Sequence, residues 1–157
     1  MPDGLSQRPE DVRFISGVIL VSRQAERVAG FYRDVLGLPL AEERHGDTQP
    51  HWGCELGDIH FAIHPESNFP GSPVGNASVK LAFTVFDLDS VLSRFEDHGV
   101  ELAYPVKNEG FGRMVAIRDP EGNFIELTEL SDDWFEHLER RKKQGHDPVA
   151  RWKQLRV

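Results

Sequence analysis

Apolar positions along the chain follow two alternating periods. Phe14 to Ser22 reads as an apolar strand, and Ala25 to Leu36 continues with helical spacing up to Gly37, a residue suited to capping a helix C-terminus. Three strand-like stretches come next: Pro39 to Glu43, His51 to Leu56 and Ile59 to His64. The segment Pro65 to Asn76 holds three prolines and two glycines and reads as a linker. Beyond it the same order returns, with a strand at Lys80 to Val85, a helix at Leu88 to His98 and then Gly99. Strand-like Glu101 to Tyr104, Met114 to Arg118 and Phe124 to Leu130 complete the second half.

The halves repeat almost in register, since Val21 to Val85 is a shift of 64 residues and Gly57 to Gly122 a shift of 65. A sheet with one helix on one face leaves its other face free, and two such units can curve those faces around a shared cavity. The predicted fold is therefore α+β. Paired βαβββ modules, about 14–64 and 79–130, form a curved mixed sheet around a cavity in a domain spanning 1–131, and a helical extension covers 132–157.

Composition narrows the function classes. At 157 residues, 39% of them hydrophobic, the chain suits one compact domain. Apolar runs such as Val18 to Val21 fall far short of the roughly 18 residues that a membrane-spanning helix needs. The opening residues carry acids and no apolar core, so they do not read as a secretory signal. A single cysteine, Cys54, excludes an internal disulfide, and the chain is read as cytoplasmic. A net charge of -8 repels a phosphate backbone, so nucleic acid is not expected as a partner, and the acids interspersed among the bases of the C-terminal segment speak against a membrane surface.

Three stretches carry a family resemblance: Phe31-Tyr32-Arg33-Asp34-Val35-Leu36-Gly37-Leu38, the strand Leu81 to Val85 leading to Asp87, and Arg118-Asp119-Pro120-Glu121-Gly122-Asn123-Phe124-Ile125-Glu126-Leu127. They resemble the vicinal oxygen chelate superfamily, which includes glyoxalase I, bleomycin-resistance proteins, fosfomycin-resistance enzymes and extradiol dioxygenases. The likeness runs from about Phe14 to Leu130. It speaks for the fold more than for one activity, because this scaffold hosts lyases, isomerases, dioxygenases and drug binders.

Alternation assigns the faces of the first hairpin. A two-residue turn at Gly57-Asp58 sets Leu56 opposite Ile59, Glu55 opposite His60, Cys54 opposite Phe61, Trp52 opposite Ile63 and His51 opposite His64. The apolar members then pack under the helix. His51, Gly53, Glu55, His60, Ala62 and His64 share the other face, which either lines the cavity or meets solvent. In the second half Phe124, Glu126 and Thr128 occupy the corresponding face.

The resemblance implies metal ligands on the first and last strands of each half. Carried over, those positions are Ser16 or Gly17, then His60, Lys80 and Glu126. An ammonium has no lone pair for a cation, so the usual metal site is expected to be lost and Lys80 to pair with Glu126 instead. No cofactor is expected. A divalent Fe, Zn, Ni or Mn would have to use His60 and Glu126 with help from His51, Glu55 or His64.

The expected function is binding of a small organic molecule in the cavity, either sequestering it or processing it with Glu126, His60 and Lys80 as acid–base groups. His51, Glu55, His64, Phe111, Arg113 and Phe124 are candidate ligand contacts, with Asn108 to Arg113 read either as a lid or as an ordinary hairpin. The alternative is a metal-dependent lyase or dioxygenase using the nonstandard His/Glu site.

After Ser131 the composition changes. Ser131 suits a helix N-cap, Asp132 and Asp133 its first turn, and Arg140 to Lys143 its last. A second short helix is expected at Asp147-Pro148. Trp134, Leu138, Trp152 and Leu155 are anchors for docking on the chain itself or on a second subunit, and a homodimer is expected.

Overall fold

The computed structural model describes residues 15–57, 59–75 and 80–143. Phe14, Asp58, the expected helix at Asp147, and Trp152 and Leu155 lie outside the described residues. The element order is β1 (Gly17–Ser22), α1 (Ala25–Asp34), β2 (Ala41–Glu43), β3 (His51–Leu56), β4 (Ile59–Pro65), then β5 (Leu81–Val85), α2 (Leu88–Asp97), β6 (Tyr104–Glu109), β7 (Gly112–Arg118), β8 (Phe124–Leu130) and α3 (Asp132–Lys143). The repeated βαβββ order is thus present. Each module forms its own mixed four-stranded sheet, ordered β1-β4-β3-β2 and β5-β8-β7-β6.

In both modules the first strand runs parallel to the last, a pairing that needs a crossover, and the helix supplies it. Helix α1 buries Ala25, Val28, Ala29 and Tyr32, one stripe at helical spacing, while α2 buries Leu88, Val91 and Phe95. Asp87 caps α2 by accepting from the backbone N–H groups of Asp89 and Ser90, and hydrogen bonds from Ser90 hold its carboxyl below the usual range. Gly37 and Gly99 follow the two helices with φ of 76° and 64°, a conformation that favours glycine.

One core joins the modules. Val28, Tyr32, Phe61 and Ile63 from the first meet Leu81, Leu88, Val115, Ile125 and Leu127 from the second. Phe83 of β5 contacts Phe61 of β4 edge-on at 5.7 Å between ring centroids and Tyr32 at 6.4 Å. The β3–β4 register matches the expected one from Trp52↔Ile63 to Leu56↔Ile59, with Cys54 buried on the apolar face and its thiol pushed up by that burial.

Two expectations need correction. Strand β6 lies at Tyr104–Glu109 instead of Glu101 to Tyr104. As an edge strand it tolerates Pro105, carries charged Lys107 and Glu109, and is interrupted by a bulge, so it lacks the alternation that marks a half-buried strand. The segment Asn108 to Arg113 is consequently the tight β6–β7 hairpin, in which Glu109 pairs with Gly112. Helix α1 also stops at Asp34, two residues early, with Val35 as its C-cap.

Ser131 accepts from the Trp134 backbone N–H at 3.4 Å and opens α3. No residue of α3 is buried, though Trp134 lies 6.3 Å from Phe111, ring to ring. Among the described residues no helix is long and apolar enough to cross a membrane.

Candidate functional site

The polar faces of the two sheets each gather a cluster of ionisable side chains. On the first sheet, β2 pairs with β3 so that Glu43 stands opposite His51 and Ala41 opposite Gly53. Glu55 stands opposite His60 on β3 and β4. Cross-strand neighbours on one face lie about 5 Å apart at Cβ, which brings Glu43, His51, His60 and His64 into one group. His45 joins them from the loop after β2.

The Glu43 carboxylate sits at the centre. Its Oε2 is 3.3 Å from His51 Nε2, 3.6 Å from His60 Nε2 and 3.9 Å from His45 Nε2. The His60 ring is oriented by Glu55, whose Oε1 lies 2.5 Å from Nδ1. His51 is 2% exposed and stacks on His64, with ring centroids 3.9 Å apart and planes 12° from parallel. Burial, then the neighbouring histidines, push the His64 pKa down to about 4, so it is neutral at pH 7. Its Nδ1 faces the Asn68 side-chain amide at 3.2 Å. The His51 Nδ1 atom is buried without a hydrogen-bond partner among the described residues, a condition that typically costs about 1–3 kcal/mol.

On the second sheet the Lys80 ammonium donates to Glu126 Oε2 at 2.7 Å, and the Tyr104 hydroxyl donates to the same oxygen at 3.4 Å. The bond to Glu126 raises the Lys80 pKa; burial, then the Glu126 charge, raise that of Tyr104. Lys80 Nζ also lies 5.4 Å from the centroid of the Phe124 ring, and the Arg118 guanidinium 5.5 Å from it. Exposure differs across the pair, 52% for the Lys80 side chain and 14% for Glu126. The carboxylate is therefore set into the sheet, with the ammonium over it.

Arg113 and Phe111 stand apart from both clusters. Arg113 pairs with Glu129 and Asp89, each at 3.1 Å, and bonds to these carboxylates raise its already high pKa. Glu129, held low by Arg113 and by the Leu88 backbone N–H, ties the hairpin to the start of α2. Phe111 packs toward Trp134.

The four positions where the resemblance places metal ligands do not fit a cation. Gly17, opposite His60 in the parallel β1–β4 ladder, has no side chain, and Ser16 precedes the strand. Lys80 fills the place beside Glu126 with positive charge. Among the described residues no hydrogen bond or ion pair joins His60 to Glu126. His60 turns its nitrogens to Glu55 and Glu43, and Glu126 accepts from Lys80 and Tyr104.

Glu43 and His45 escaped the sequence reading. Alternation could have placed Glu43 on the His51 face, but seven residues separate β2 from β3, and a loop of that length does not fix a register. The available signal was the crowding of four of the seven histidines into positions 45–64.

Comparison with known proteins agrees with this architecture. The family model for the Glyoxalase/Bleomycin resistance protein/Dioxygenase superfamily matches residues 15–127. The metallothiol transferase FosB of Staphylococcus epidermidis is 35% identical over 100 residues, and that match spans 64% of this chain and 64% of the relative, just under two thirds of its length. TnmS3, an antibiotic binding protein from Streptomyces sp. CB03234, superposes with a TM-score of 0.62 at 24% identity, covering 78% of this chain and 99% of that one. Lactoylglutathione lyase from Agrobacterium tumefaciens gives 0.56 at 22% identity, covering 76% and 96%. At these identities the two structures show a shared fold.

Proposed function

This chain belongs to the Glyoxalase/Bleomycin resistance protein/Dioxygenase superfamily, and we propose that it binds a small organic molecule without a metal at the superfamily's ligand positions, sequestering or processing it. The observation that carries this reading is the Lys80–Glu126 pair at 2.7 Å. An ammonium there supplies a fixed positive charge where metal-dependent relatives place a cation. Lys80, Tyr104 and Phe124 together offer charge, a hydroxyl and an aromatic face, a combination suited to an aromatic or anionic ligand. In a catalytic version Glu126 is the base and Lys80 orients it or stabilises a developing oxyanion, with His60 as a second acid–base group.

A homodimer completes the site in this reading. Strands β1 and β5 end their sheets, and Ile15, Ile19 and Phe86 are 69%, 48% and 95% exposed. A symmetric partner covers this apolar surface and sets the His60 face of one subunit opposite the Glu126 face of the other.

A thermal-shift screen of aromatic and anionic compounds, run in EDTA, tests the proposal. The expected result is a ligand that stabilises the native chain and binds at least about tenfold more weakly to Lys80→Met and Glu126→Gln, the change expected from losing a charged hydrogen bond. A second reading, a metal-dependent transferase, lyase or dioxygenase, is favoured by the likeness to FosB. It is the outcome if nothing binds in EDTA and a thiol-consuming or ring-opening reaction appears only when divalent metal is added.

A further inference from the structure

We infer that Glu43, His45 and His51 form a binding site for a divalent transition-metal ion, supported by His60 and separate from the Lys80–Glu126 position. The donor atoms of the three ligands lie within 4.8 Å of one another. Two imidazoles and a carboxylate suit Zn²⁺, Ni²⁺, Co²⁺ or Fe²⁺, whereas Mg²⁺ and Ca²⁺ prefer oxygen alone.

The spacing itself argues for an ion. Around a tetrahedral ion with bonds of about 2.0–2.1 Å, ligand atoms are about 3.3–3.4 Å apart. Glu43 Oε2 lies 3.3 Å from His51 Nε2, 3.6 Å from His60 Nε2 and 3.9 Å from His45 Nε2. Hydrogen bonds between nitrogen and oxygen centre near 2.9–3.0 Å, and none of these three contacts is one. The His51–Glu43 separation matches that spacing, and the His60 and His45 nitrogens lie somewhat beyond it around the same carboxylate oxygen.

Two further features concern how the donors are held. Gly53 leaves a cradle under the cluster: a Cβ there would lie 2.8 Å from Glu43 Oε2 and 2.9 Å from His60 Cε1, although its backbone conformation does not call for glycine. His51 is nine-tenths buried or more, with Nε2 toward Glu43 and Nδ1 without a partner among the described residues, so the nitrogen it presents to the cluster is Nε2. Stacking on His64 holds the His51 ring, and the Glu55–His60 contact repeats the carboxylate–imidazole arrangement that orients ligands. The His45 side chain is 75% exposed, which leaves one side of the ion open to water or to an oxygen of a bound molecule.

The test uses the untagged full-length chain, stripped with EDTA and dialysed, titrated with ZnCl₂ by calorimetry and with CoCl₂ by visible absorption. The expected result is one equivalent bound with a tetrahedral Co²⁺ spectrum. Glu43→Gln, His45→Ala and Gly53→Ala should each weaken binding about tenfold or more while circular dichroism stays native. Lys80→Met should leave it unchanged. The Glu43 and His45 side chains are 30% and 75% exposed, so folding does not obscure the two variants that decide the result. Binding well below one equivalent overturns the inference, as does binding indifferent to Glu43→Gln and His45→Ala or abolished by Glu126→Gln. Ligand binding in EDTA is read separately, so this site and the organic-ligand reading can fail independently.

Discussion

The hydroxyl of Tyr32 donates to Asp119 Oδ2 at 2.9 Å, joining α1 of the first module to the β7–β8 turn of the second. Both groups are buried, and burial, then the Asp119 charge, raise the tyrosine pKa far beyond its ordinary value. Asp119 also accepts from the backbone N–H groups of Glu121 and Asn123 and from the Asn123 side chain. The Asp-Pro-Glu-Gly-Asn turn is thus a structural clamp between modules, with Ser22 donating to Glu121 as a second tie.

Tyr32→Phe keeps the ring and removes one charged hydrogen bond, so it should cost about 1.5–3 kcal/mol. Urea unfolding should show a lower midpoint with an unchanged slope. A loss under about 0.5 kcal/mol would mean that water serves Asp119 equally well.

Gly112 has φ of 148°, and a Cβ there would come to 2.0 Å from the Glu129 backbone oxygen. Gly112→Ala should destabilise by more than about 3 kcal/mol or abolish soluble expression. Gly110, with no atom within 4 Å of its added Cβ, should accept alanine within about 0.5 kcal/mol. Equal tolerance at both sites would show that the hairpin can open without cost.

Lys80→Met leaves the 14%-exposed Glu126 carboxylate, among the described residues, with only the Tyr104 hydroxyl. The expected loss is about 1–2 kcal/mol, between the values for exposed and buried pairs. Adding Glu126→Gln should recover most of it in a double-mutant cycle. No recovery would mean that the lysine acts through its aliphatic stem.

Glu129 has a lowered pKa in the fold, from Arg113 first and the Leu88 N–H second. A depressed carboxyl contributes stability that is present above its unfolded pKa and lost as pH falls through the folded value. The stability gap between the native chain and Glu129→Gln should therefore be widest near pH 7 and close on acidification below about 4, read by chemical denaturation across pH. A gap independent of pH would assign the contribution to packing.

The homodimer reading predicts a dimer in sedimentation at micromolar concentration, and a lower melting temperature once residues 132–157 are removed, because Trp134 packs by Phe111. A full-length monomer would refute it, and a truncated chain with the same oligomeric state and melting temperature would show that the tail is only a solvated extension.

What the sequence determined by itself rests on local periods. The βαβββ repeat, the faces of β3 and β4 and their register across Gly57 all follow from alternation, a two-residue turn and the repeat of the halves, while the approach of Lys80 to Glu126 was implied by the family resemblance. Tertiary structure alone decided what long loops and long-range contacts control. The seven-residue connection before His51 concealed that Glu43 would face it, and a loop brought His45 to the same point. Asp119 looked like part of a family motif, yet its role required Tyr32, 87 residues away, to be buried against it. Strand β6 was hidden because an edge strand facing solvent need not alternate. Periodicity records which face of an element is buried; which faces meet is fixed only when the modules pack.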